Sequence, residues 1–103
     1  MTLMTLDDIV SKIRQKTAYA TGFHARALFD FGDDGCIHVD ATQTPAEICT
    51  EAKEADVTLA TSLETFGKIL NGDSDPNIAF MMGKLKIRGS MGLALKLNSL
   101  LES

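Results

Sequence analysis

Two thiols, two imidazoles, an acid-rich turn and a series of glycines are the residues of this chain with chemistry to offer. Cys36 and Cys49 stand thirteen positions apart and form no paired-Cys metal spacing. A reactive thiol needs a basic neighbour, and only His38 lies close in sequence to Cys36. Both thiols are therefore expected as reduced, small, buried or half-buried apolar groups. His24 and His38 fall on strand positions that face water, within reach of Asp30 or Asp40, and read as exposed hairpin polar residues. Asp30, Asp33 and Asp34 lack the ligand spacing of an EF-hand loop, which argues against calcium. Gly83, Gly89 and Gly92 do not match GxGxxG, and caps and turns account for each. GxSxG, HExxH and the P-loop are absent. The expectation is a chain with no catalytic residue, no metal ligand and no cofactor.

The elements that would position these groups follow from periodicity. Residues 5–20 carry Leu6, Ile9, Val10, Ile13, Thr17 and Ala20 at helical spacing, with Thr5 to cap, Asp8 in the first turn and Gly22 to stop. From 24 to 31 the period becomes two, with Ala25, Ala27, Phe29 and Phe31 on one side. Asp33-Asp34-Gly35 turns the chain, and Ile37, Val39 and Ala41 continue the alternation, giving a hairpin with one dry and one wet face. A short third strand is expected over 46–51 and a firmer fourth over 56–61. Ser62 caps a helix over 63–71 that Gly72 ends, and Asp75-Pro76 starts another that stops at Gly83. Residues 84–88 alternate as a last strand, and Ser90 caps a last helix with Leu93, Leu97, Leu100 and Leu101 along one side. One antiparallel-dominated sheet with helices gathered on its dry face follows, a single α+β domain over 1–103.

Composition narrows the function classes. The 103 residues are 45% apolar and 23% charged with net charge −4, enough for one core and far from a disordered composition. Residues 30–75 hold eleven acids and two bases, whereas the flanks are basic through Lys12, Arg14, Lys16, Arg26, Lys84, Lys86, Arg88 and Lys96. Nucleic acid is a poor partner, since no dense basic surface and no aromatic platform accompany these bases. They read as solvated faces, or as weak contact with an anionic membrane or an acidic protein. No membrane span, secretory leader or peroxisomal C-terminus is visible, so a cytoplasmic location is expected.

Residues 78–101 supply Ile78, Phe80, Met81, Met82, Leu85, Ile87, Met91, Leu93, Leu95, Leu97, Leu100 and Leu101. So many large apolar groups imply a core on both sides of the helices, an apolar cavity, or a patch covered by a second subunit.

The run ADVTLATSLETFGKILNGDSDPNIAFMMGKLKIRGSMGLALKL resembles the sterol carrier protein type 2 family. The recurrent pieces are Asp56 before an alternating strand, the Asp75-Pro76 helix start, Phe80 leading into Gly83-Lys84-Leu85-Lys86-Ile87, and Gly89 before the last helix. Upstream, the first helix and the hairpin strand Ile37-His38-Val39-Asp40 also fit. The resemblance implies a five-stranded, antiparallel-dominated sheet with helices on one face enclosing an apolar tunnel. It implies non-enzymatic binding and transfer of a fatty acid, fatty acyl-CoA, sterol or isoprenoid-like lipid, by a monomer or homodimer. Carried over residue by residue, the tunnel walls fall on Phe66, Ile69, Phe80, Met81, Leu85, Ile87, Leu93 and Leu97. About 15 buried methylenes would supply ~12 kcal/mol gross. Lost freedom takes back a large share, leaving micromolar to submicromolar affinity. A dimerisation or scaffold module with a filled core, and an accessory subunit presenting a lipid to a separate enzyme, remain the alternatives.

Overall fold

The computed structural model describes residues 5–18, 24–43 and 46–102. Its first helix, α1 (Leu6–Ala18), opens with a reciprocal capping box. The Asp8 amide donates to Thr5 Oγ1 at 3.2 Å while the Thr5 amide donates to Asp8 Oδ2 at 3.0 Å, satisfying two otherwise orphaned donors. Ile9 and Ile13 turn inward from this helix. Positions 19–22, with the expected stop at Gly22, lie outside the described residues.

Five strands follow in one sheet: β1 (Arg26–Asp30), β2 (Cys36–Asp40), β3 (Glu47–Cys49), β4 (Val57–Thr61) and β5 (Leu85–Gly89), in the spatial order β3-β2-β1-β4-β5. The pairs β1–β2, β2–β3 and β4–β5 are antiparallel, and the central β1–β4 pair is parallel. Three antiparallel ladders against one parallel ladder match the expected dominance. The third strand is shorter than the expected 46–51 because it offers the sheet only Ile48 as a sizeable apolar group. Register places Ala27, Phe29, Ile37, Val39, Val57, Leu59 and Leu85 on one face, and all are buried there.

Three more helices, α2 (Leu63–Leu70), α3 (Pro76–Met81) and α4 (Met91–Glu102), contribute to that same core. Ser62 Oγ accepts from the Thr65 amide to start α2, and Asp75 Oδ1 accepts from the Asn77 amide to start α3, with Pro76 at the first helical position. Both helices end in Schellman motifs closed by Gly72 and Gly83, each at positive φ. At the centre, the Phe66 ring lies 5.0 Å from Phe29 and 5.2 Å from Phe31, in tilted contacts that aromatic quadrupoles favour.

Asp56 joins the two halves of the sheet. Its amide donates to the Arg26 carbonyl at 2.9 Å and its Oδ2 accepts from the Arg26 amide at 3.0 Å. Its carbonyl accepts from the Ser90 amide at 3.1 Å, so β1, β4 and the β5–α4 corner meet at one residue. Gly89 makes that approach possible. A Cβ there would stand 2.4 Å from the Asp56 carbonyl oxygen, and the backbone has φ +94°.

The outer face of the sheet departs from expectation. His38 is only 4% exposed, not a solvated hairpin residue. The chain between β3 and β4 lies across it, and His38 Nε2 donates to the Glu54 carbonyl at 2.9 Å. Alternation assigns a side chain to a face, but it carries no information about a later segment laid over that face. His24 is exposed, as expected.

Candidate functional site

The β5 edge of the sheet is where large apolar side chains and open surface coincide. Pairing of Thr61 with Leu85 and of Leu59 with Ile87 turns Leu85 and Ile87 toward the helices, leaving Lys86 and Arg88 on the opposite face. Leu85 is buried, whereas Ile87 is half-buried and packs against the core from its margin. Both α3 and α4 pack against this strand.

From α3, Pro76 and Ala79 are buried, so the helix is anchored by its smallest apolar groups. Its larger ones point outward: Phe80 is 44% and Met81 82% exposed, with Ile78 and Met82 also exposed. On α4, Ala94 and Leu97 are buried and Leu93 is half-buried, while Met91 and Leu95 are exposed. The eight expected wall residues thus divide into three groups. Phe66, Ile69, Leu85 and Leu97 lie together in the closed core; Ile87 and Leu93 sit at its margin; Phe80 and Met81 stand on the outer surface.

Asn98 was not singled out by sequence. It is buried on the inner side of α4, and its Oδ1 meets no hydrogen-bond partner among the described residues. Such an orphan costs about 1–3 kcal/mol and offers an acceptor to any donor that reaches it. Spacing alone would have placed position 98 beside Ala94 and Leu97 on the buried stripe.

A concavity of about 440 Å³ lies on the outer face of the sheet and is lined by Arg26, His38, Asp40, Gln43, Glu47, Lys53 and Glu54. Arg26, Asp40, Gln43 and Glu47 are linked across it. Arg26 Nε lies 3.5 Å from Asp40 Oδ2, and Gln43 Nε2 reaches both Asp40 and Glu47. Thr42 donates its hydroxyl and its amide to Asp40 Oδ1, and with Gln43 and Arg26 these bonds hold the Asp40 carboxyl down at about 2. Cys36 is shifted the other way, its thiol pushed up by burial and by the nearby Asp30 and Cys49. Among the described residues no cluster of His, Cys, Asp and Glu could hold a metal ion. No described helix is long and apolar enough to cross a membrane.

A mixed five-stranded sheet with its helices on one face defines the sterol carrier type of α+β domain. The chain belongs to the SCP-2 sterol transfer family, whose model matches residues 6–102. Sterol Carrier Protein 2 from Yarrowia lipolytica shares the fold with a TM-score of 0.74 at 20% identity, covering 99% of this chain and 96% of that one. The palmitated SCP2L2 of Aedes aegypti does so with a TM-score of 0.71 at 20% identity, over 97% of this chain and 96% of that one. Among curated proteins, Hydroxysteroid dehydrogenase-like protein 2 of Bos taurus is 48% identical over 49 residues, or 48% of this chain. The match spans 12% of that protein's length.

Proposed function

We propose that the chain binds a single-chain lipid, such as a fatty acid, at the α3–β5–α4 margin and passes it on without chemical change. The observation that carries this reading is the grading of apolar exposure there. Exposed Phe80 and Met81 give way to half-buried Ile87 and Leu93, and these to buried Leu85, Leu97, Ile69 and Phe66. An acyl chain entering along that gradient would cover surface that now faces water, with a gain of about 0.8 kcal/mol per methylene. Such contact is non-directional and selects by length and shape. Asn98 Oδ1, buried on α4, is suited to accept from a ligand hydroxyl or a protonated carboxyl. The palmitated Aedes aegypti domain makes palmitate the first ligand to try. The cytoplasmic setting expected above belongs to the same proposal.

Native mass spectrometry of the purified chain tests it directly. Lipid at about one per chain, or uptake of added palmitate, supports the reading; a chain that ignores added fatty acid overturns it. Leu93→Trp, which fills the margin, is expected to abolish uptake of a fluorescent fatty acid while unfolding stays cooperative.

A second reading is favoured by the curated relative, which the chain matches over only 12% of its length. In it the domain holds a lipid for a catalytic partner, joined to it or separate. Uptake would be unchanged, and the lipid would be released faster when that partner is added.

A further inference from the structure

We infer that the free edge of β5 docks an extended segment of a partner protein, one in which acidic and apolar residues alternate, as a sixth strand. The sheet runs β3-β2-β1-β4-β5, so β5 has a neighbour on one side only. Its register with β4 fixes which backbone groups are left over. The Ser90 amide reaches the Asp56 carbonyl, and the pairs of Thr58 with Arg88 and Ala60 with Lys86 continue that alternation toward β4. The N–H and C=O groups of Leu85, Ile87 and Gly89 therefore point away from the sheet. No turn, loop or helix backbone group among the described residues bonds to them. Lys86, Arg88 and Gly89 are exposed and Ile87 is half-buried, so the edge stays open to solvent along most of its length.

An open edge templates pairing with another strand, and its flanking side chains select which strand. On the outer face of the sheet Lys86 and Arg88 are exposed, and neither forms an ion pair with an acid among the described residues. A strand laid beside β5 brings its own outer side chains within about 5 Å of these two, where acids are attracted and bases repelled. On the inner face the neighbours are apolar. Half-buried Ile87 lies there, and α3, which packs against β5, carries exposed Phe80 and Met81. Since side chains alternate between faces along a strand, the fitting segment alternates acidic with apolar residues.

The same charges disfavour a second β5 as the occupant. Two β5 edges meeting across a two-fold axis would set Lys86 and Arg88 of one copy against those of the other. Residues 76–101 hold no acid that could offset them. Lysine on an edge strand guards against such self-pairing, and here the guard admits a partner of opposite charge. The inference does not require a lipid inside the domain.

Fluorescence anisotropy with a labelled, capped peptide of alternating Glu and Val separates the outcomes. The full chain is expected to bind it saturably, to release it in added salt, and to ignore a peptide of alternating Lys and Val. Amide hydrogen exchange at Ile87 and Gly89 should slow when the acidic peptide is bound. Ile87→Pro removes one outward donor without touching a bond to β4, and should weaken binding about tenfold. Lys86→Glu with Arg88→Glu should reverse the preference toward the basic peptide, which decides the matter even where the proline variant fails to fold. Absence of binding by the acidic peptide overturns the inference, as does a charge preference that survives the reversal, or binding that leaves the β5 amides unprotected. Concentration-dependent polymerisation of the chain that Glu47→Lys abolishes assigns the edge to β3 of a second copy, and also overturns it.

Discussion

At the residue scale, the side chains with unusual environments are those whose partners lie far away in sequence or come from an adjoining turn. Asp40 is held at about 2 chiefly by Thr42, with Gln43 and Arg26 contributing. Its folded value lies below the ordinary 3.8, so whatever the ionised carboxylate contributes is complete above the usual carboxylate range. That contribution disappears as pH falls through about 2. Carbon-detected NMR titration should find the Asp40 carboxyl ionised well below its ordinary range, and Thr42→Val should move it back up. An Asp40 that titrates normally in the unsubstituted chain would contradict the hydroxyl contact. Phe66 sits at the meeting point of two aromatic contacts with essentially no exposure, so Phe66→Ala should cost about 3–5 kcal/mol in urea unfolding.

At the element scale, the helices and strands were readable because each carries its own punctuation. Thr5, Ser62 and the Asp75-Pro76 pair cap where expected, and Gly72 and Gly83 close the helices they follow. Alternation in 24–41 and 56–61 placed the buried face of β1, β2 and β4 correctly. What alternation does not encode is the object lying over a face. Nothing around His38 announces that Glu54 covers it, because the covering segment is polar and irregular. Phe80 and Met81 illustrate the converse. The resemblance gave both a wall position, yet α3 anchors itself with Pro76 and Ala79 and leaves its bulk outside. The one-residue contact at the β5–α4 corner was visible only as two separated letters, Asp56 and Gly89. Gly89→Ala would need both a left-handed backbone and a shift of the Asp56 carbonyl. A loss of roughly 2–3 kcal/mol is expected, measured as a lower urea midpoint with unchanged slope.

At the scale of the whole molecule, a small domain with one core and a margin left open should respond strongly to being filled. A fatty acid present at about a hundred times its dissociation constant adds about 2.7 kcal/mol to folding. For a domain of this length that is a rise in melting temperature on the order of 10 °C. A melting curve indifferent to saturating palmitate would contradict binding to the folded state. Beneath these equilibria lies the parallel pairing of β1 with β4. It joins positions about thirty residues apart, with the β2–β3 arm laid out in between. Such a seam cannot close until the intervening loop has been gathered in, so the first hairpin should fold well ahead of the rest. For that interval the half of the chain built around β5 waits unassembled, and its grease is at its most vulnerable to clumping just after synthesis.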